Sequence, residues 1–151
     1  MTLSVGDSAP VIEAENQTGE AITITYKSPT VVYFYPRDDT PGCTTEACEF
    51  DAELETYQDA GVEVYGVSTD DVDSHAEFAD KHGIGFDLLA DPAHEIAESF
   101  GVEIVRDSAQ RTTFVIVDGT VKAVYTGVKP DGHARDVLMD MLDEELVTLD
   151  W

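Results

Sequence analysis

"TVVYFYPRDDTPGCTTEACEF", residues 30–50, decides how the chain is read. Its first seven residues, 30–36, are β-branched or aromatic up to a closing proline. Such a continuous run predicts a strand buried on both faces. Helical spacing then takes over. Cys43, Ala47, Phe50, Leu54 and Tyr57 recur at steps of four and three, so they share one face. That predicts a helix over 43–60, ended by Gly61. A second apolar run, "VEVYGVS" (62–68), predicts another strand. The three form a β-α-β unit, whose strands should lie parallel with a right-handed crossover.

Further along, a helix is expected over 71–82, with Val72, Ala76 and Ala79 on its apolar face. "FDLLAD" (86–91) reads as a short strand or turn. "PAHEIAESFG" (92–101) reads as a short helix, opened by Asp91-Pro92 and stopped by Gly101. "TTFVIVDGTVKAVYTG" (112–127) predicts a hairpin turning at Asp118-Gly119. Residues 131–146 predict an amphipathic helix with Ala134, Val137, Leu138, Met141 and Leu142 as its stripe. Ahead of the decisive stretch, "NQTGE" (16–20) suggests the turn of a small N-terminal hairpin. No repeat or linker divides the chain, so one α/β domain over 1–151 is expected. Its mixed central sheet should carry helices on both faces.

Charge narrows the partners. Of 151 residues, 32 are acidic and only 8 basic, a formal net charge of −24. Nucleic acid and anionic membrane would both be repelled. The acids are dispersed, in "EAEN" (13–16), "RDDT" (37–40), "DDVDS" (70–74) and "DEEL" (143–146), so no single tail explains them. Adaptation to a high-salt cytosol is the most economical reading, because salt screens self-repulsion. No apolar run is long enough to span a membrane. The stretch "MTLSVGDSAP" lacks the basic and apolar regions of a secretory signal. A cytoplasmic location follows as the expectation. There thiols stay reduced, and a close cysteine pair points to chemistry rather than to a structural staple.

Both cysteines of the chain lie in the decisive stretch. Thr40 can cap the helix, and Pro41 suits the first position, which needs no N–H donor. Cys43 then falls in the first turn, where unpaired amides and the helix dipole lower a thiol's pKa. It also lies beyond the carboxyl end of a buried strand, where open α/β sheets place ligand pockets. A partly exposed, activated nucleophile is expected. Cys48 sits five residues on, and in an intact helix the two Cα atoms are roughly 8.6 Å apart. A disulfide tolerates about 7 Å at most. A Cys43–Cys48 bond therefore requires the first turns of the helix to unwind. Other readings stay open at this point. Cys43 could be a buried small hydrophobe on the apolar seam. A zinc site is within ligand spacing but needs two more ligands, and His75, His82, His94 and His133 form no matching set.

"YFYPRDDTPGCTTEAC" closely resembles the active-site segment of peroxiredoxins, in particular the bacterioferritin-comigratory or peroxiredoxin Q class. The family pattern Pro-x-x-x-Thr-x-x-Cys is matched by Pro36, Thr40 and Cys43, and Cys48 matches the resolving cysteine. The resemblance extends over nearly the whole chain. "LSVGDSAP" is similar to the N-terminal signature, residues 61–102 to the middle segment, and "RTTFVIVDGTV" to the strand bearing an active-site arginine, here Arg111. The resemblance implies a thioredoxin fold with an N-terminal extension. It implies a thiol peroxidase whose Cys43 attacks a hydroperoxide, becomes a sulfenic acid and condenses with Cys48. A thioredoxin-like protein would reopen the disulfide, and no metal or flavin cofactor is required. Pro36, Thr40, Gly42 and Arg111 would bind the peroxide. Against these roles, Thr40 could serve only as a cap and Arg111 only as the partner of a surface acid. Glu46 matches the family position three after the cysteine, but could simply be an exposed helix acid or a backbone partner. The histidines could be surface or core residues, and Arg37 and Arg106 surface residues.

The chain departs from the family in two places. Position 37 is Arg where Lys is frequent, and "EIVRDSAQ" (103–110) is shorter than the matching segment in many relatives. A monomer, or at most a weak dimer, is expected. Two other classes compete with a peroxidase. A general disulfide reductase usually carries C-x2-C, unlike the C-x4-C here. A redox sensor would use the same cysteine switch to alter a binding surface.

Overall fold

The computed structural model describes residues 2–147. Strands β1 (Ile12–Glu15) and β2 (Ala21–Ile24) form the N-terminal hairpin. Its turn is held by Asn16, whose Oδ1 accepts from the Thr18 and Glu20 amides. Strand β3 (Thr30–Phe34) leads into helix α1 (Pro41–Ala52), then α2 (Leu54–Asp59) and β4 (Glu63–Ser68). Helix α3 (Val72–His82), β5 (Asp87–Ala90) and α4 (Glu95–Phe100) follow. The described elements are completed by β6 (Ile104–Val105), β7 (Ser108–Ala109), β8 (Thr112–Val117), β9 (Thr120–Thr126) and α5 (His133–Asp143).

The central sheet has the order β5-β4-β3-β8-β9. β3, β4 and β5 are parallel neighbours, β8 runs antiparallel to β3, and β9 antiparallel to β8. β3 lies in the middle and every residue of it is buried. Val31 and Tyr33 face a core built with Phe50, Tyr57, Phe78 and Val137, from α1, α2, α3 and α5. Val32 and Phe34 face the opposite core, with Ile12 and Ile24 of the hairpin and Ile96 and Phe100 of α4. This is the α/β thioredoxin-like arrangement expected from the sequence. The β8–β9 turn needs left-handed backbone at Asp118 and Gly119, with φ of 55° and 76°, which Gly adopts freely and Asp tolerates.

Four local readings change. The helix expected over 43–60 is two pieces, with Glu53 (φ −94°, ψ 0°) between α1 and α2. Backbone bonds run across the junction, from the Glu53 amide to Glu49 O and from the Tyr57 amide to Glu53 O. No Gly or Pro marks it. Tertiary bonds hold the two pieces from either side: Asp51 accepts the Gly85 amide and the Tyr57 hydroxyl donates to Ala134 O. On α3 the buried residues are His75, Phe78 and Ala79, and Ala76 is exposed. The expected stripe passes over His75 and Phe78; His75 is fully buried because it has hydrogen-bond partners there. Helix α4 begins at Glu95, later than expected. Asp91 opens it from a distance, its carboxylate accepting the Ile96 and Ala97 amides. Finally, "EIVRDSAQ" folds into the small β6–β7 hairpin, turning through Arg106 and Asp107 at positive φ.

Candidate active site

β3 ends beneath the N-terminus of α1, and residues 36–40 make the corner between them. Thr40 occupies the cap position with extended backbone (φ −96°, ψ 153°), and Pro41 starts the helix. The expected side-chain cap is not made. Thr40 Oγ1 instead donates to Arg37 O at 3.0 Å, while the Thr44 amide bonds Thr40 O. A hydroxyl that spends its proton on a carbonyl has its lone pairs left to accept.

Cys43 is the third residue of α1. Amides this early in a helix have no intrahelical acceptor and present positive charge. Arg111, immediately before β8, adds a full cation: its Nη2 lies 3.1 Å from Cys43 Sγ. Its Nη1 donates to Glu46 Oε1 at 2.8 Å. Glu46, at the family-matched position three after the cysteine, is not an exposed helix acid: it is 1% exposed, one turn beyond Cys43 on the inward face. Glu46 Oε2 has no partner among the described residues. Burial pushes its pKa up from 4.5 to about 7 against the opposing pull of Arg111. Arg111 is therefore held between two acids, not paired with a surface one.

Cys43 itself was expected to be partly exposed and is 1% exposed. The guanidinium and α1 cover it. Gly42 permits this closeness, because a Cβ there would fall 2.7 Å from Arg111 Nη2 and 3.3 Å from Pro130 Cγ. Pro36 and Arg111 share the wall of an open hollow of about 500 Å³ with Gln110, Thr112, Gly127 and Val128. A larger hollow, about 710 Å³, lies between the hairpin and α3, lined by Glu13, Glu15, Asp71 and Asp73. It contains neither cysteine, so the chemistry at Cys43 gives no reason to place a peroxide there.

Cys48 is a free thiol on the same helix as Cys43, half-buried against the core. Burial, assisted by the charge of Asp51, raises its pKa. Among the described residues no histidine hydrogen-bonds a cysteine. His75 and His133 are buried, His82 and His94 half-buried. Arg37 and Arg106 are exposed, as expected. No pattern along the chain signals that Tyr35, Asp38 and His75 form one buried hydrogen-bonded group. Asp38, Asp70 and His75 are also the one trio among the described residues with metal-ligand proximity. Neither cysteine belongs to it.

Comparisons with known proteins agree with this geometry. Residues 5–124 match the AhpC/TSA family. The chain is 36% identical over 148 residues to a putative peroxiredoxin Bcp of Coxiella burnetii, covering 91% of this chain and 98% of that one. It is 35% identical over 153 residues to the peroxiredoxin Bcp of Bacillus subtilis, covering 95% and 98%. Among solved structures it superimposes on a mutant of peroxiredoxin Q from Xylella fastidiosa with TM-score 0.90, at 27% identity over 96% of this chain and 99% of that one. BcpB of Mycobacterium tuberculosis gives 0.87, at 32% identity over 93% and 97%. With the cysteines at 43 and 48, the thiol held by an arginine and the fold in common, the chain belongs to the Bcp/peroxiredoxin Q family of AhpC/TSA peroxiredoxins, the thiol peroxidases.

Proposed function

We propose that Cys43 is the peroxidatic cysteine and Cys48 the resolving one in an antioxidant cycle on hydrogen peroxide and organic hydroperoxides. The observation that carries this reading is the 3.1 Å contact of Arg111 Nη2 with Cys43 Sγ at the start of the helix that also bears Cys48. The Cys43 thiolate attacks the terminal oxygen of the hydroperoxide. The S–O bond forms as O–O breaks, sulfur loses two electrons, and the departing oxygen takes a proton to leave as water or alcohol. Arg111 and the Gly42 and Cys43 amides oppose the charge that builds up on the peroxide oxygens. Thr40 Oγ1 accepts the peroxide's O–H, and Pro36 narrows the approach and limits water.

Cys43 is then a sulfenic acid. Helix α1 unwinds from its first turn, Cys48 sulfur attacks, the S–O bond breaks and water departs. A thioredoxin-like dithiol exchanges with the disulfide and restores both thiols. No metal or flavin takes part. We read the chain as a cytoplasmic, monomeric enzyme of a high-salt interior. Among the described residues no helix is long and apolar enough to cross a membrane.

The test is a pair of variants assayed with a thioredoxin system. Cys43→Ser should abolish peroxide turnover. Cys48→Ser should complete one fast peroxide reduction and then stall. Full thiol-dependent turnover by Cys43→Ser would overturn the assignment.

A further inference from the structure

The corner that presents Cys43 is anchored by a polar group lying outside the reacting residues. Asp38, midway between Pro36 and Thr40, is 9% exposed. Its Oδ1 accepts from the Tyr35 hydroxyl at 2.6 Å. Its Oδ2 accepts from Ser74 Oγ at 2.8 Å and meets His75 Nδ1 at 2.6 Å. His75 is wholly buried, and its Nε2 lies 3.0 Å from Leu89 O. A carbonyl only accepts, so Nε2 carries a hydrogen and Nδ1 is left for Asp38. One proton joins the two whichever of them holds it. The Asp38 amide donates to Asp70 Oδ2 at 2.7 Å, and Ser68 Oγ donates to the same oxygen at 2.7 Å. The corner is thus fastened to the ends of β3, β4 and β5 and to α3.

None of these bonds involves α1. The side-chain bonds that tie α1 to other elements, from Arg111 to Cys43 and Glu46, from the Gly132 amide to Glu49 and from the Gly85 amide to Asp51, lie on the other side of Thr40. We propose that His75 and Asp38 are positioning residues for the peroxidase reaction. They hold residues 36–40 at fixed geometry, so that Thr40 and the first amides of α1 face the peroxide. They also confine the unwinding that precedes disulfide formation to residues beyond Thr40. A corner fixed to the sheet is preorganised for attack, and misplacement of about 1 Å can cost about a hundredfold in rate. The same anchorage lets one end of α1 open without disturbing the strand.

This inference rests on the Cys43 and Cys48 roles proposed above, and the experiment separates the two. In the full chain carrying Cys48→Ser, the rate of Cys43 oxidation by hydrogen peroxide is measured by stopped flow, with Cys43→Ser as control. Three further substitutions are compared: His75→Asn, whose amide nitrogen replaces Nδ1; His75→Gln, whose amide nitrogen replaces Nε2 instead; and Asp38→Asn. His75→Gln and Asp38→Asn should slow oxidation by about tenfold or more, while His75→Asn stays within about threefold of the parent. Both His75 variants lose core packing, so their melting temperatures should fall together and only the rates should part. Equal rates for His75→Asn and His75→Gln would overturn the positioning role. A reactive Cys43→Ser would instead strike at the assignment of the cysteines. A second measurement needs no substitution on α3: hydrogen exchange of the wild-type chain, reduced and peroxide-oxidised. The Asp38 amide should stay protected while amides of residues 44–48 lose protection. If the Asp38 amide opens with them, the confinement is wrong.

Discussion

Glu46 shows what a single buried residue contributes. Its carboxylate fixes one arm of Arg111 while the other arm meets Cys43. Burial takes this carboxylate out of water, and Arg111 only partly offsets the loss. The cost appears in the raised pKa, from 4.5 to about 7. For an acid whose folded pKa is raised, stability is fully present below the unfolded value. It is lost as pH rises through the folded one, here between about 4.5 and about 7, by on the order of 3 kcal/mol. Glu46→Gln keeps an oxygen for Arg111 Nη1 and removes the ionisation. Urea unfolding at pH 8 should find this variant more stable than wild type, and unfolding below pH 4.5 should find no such gain. Destabilisation of equal size at both pH values would contradict the account. Glu46→Ala frees the guanidinium, so peroxide oxidation of Cys43 should slow by about tenfold, whereas Glu46→Gln stays close to wild type. The resemblance singles out Arg111 for the Cys43 site, but its bond to a buried Glu46 was not visible along the chain. Arg111 lies 65 residues from Glu46 and 68 from Cys43, and no local pattern couples them.

At the level of elements, legibility followed how local the determining forces are. β3 was readable because a buried central strand must be apolar at every position, and it is. The β8–β9 turn was readable because Asp-Gly suits the left-handed pair of residues it needs. The break at Glu53 was not, since contacts from Gly85 and Ala134 set it, and α3 was misread because Asp38 satisfies His75 from another element. Helix α1 also carries the clearest kinetic consequence. Its turn between the cysteines holds Thr44 and Thr45, both β-branched, and Thr45 Oγ1 bonds back to Pro41 O at 3.0 Å. β-branched residues weaken a helix, and back-bonding adds to the effect. Replacing both threonines by alanine should stabilise the helix by about 1 kcal/mol in all. If unwinding precedes the S–S bond, disulfide formation after a peroxide pulse should slow by about fivefold, with Cys43 oxidation unchanged. Rapid-quench alkylation and mass mapping resolve the two steps. Disulfide formation at the wild-type rate would mean that the bond forms without opening this turn.

The charge belongs to the whole molecule. With a net charge of −24, the acids repel one another over the surface in the folded state and less in the expanded chain. Few cations offset them locally. Lys81 bridges to exposed Asp39, and Arg111 is committed to the interior. The fold itself does not depend on this excess, because both cores are assembled from apolar side chains. Screening should therefore add stability without altering structure or the site. The Debye length shortens from about 30 Å at 0.01 M salt to about 3 Å at 1 M, which spans the change from long-range repulsion to nearly none. If screening restores about 2 kcal/mol, the melting temperature should rise by roughly 4–8 °C between dilute and molar potassium chloride. Sucrose at matched osmolality controls for effects of exclusion from the surface. Lysine at the exposed positions Glu13, Glu20, Glu77 and Asp80 should flatten the dependence and raise stability most in dilute buffer. A melting temperature that does not move with salt would remove the case for a high-salt setting, because repulsion among the acids would then cost the fold nothing measurable.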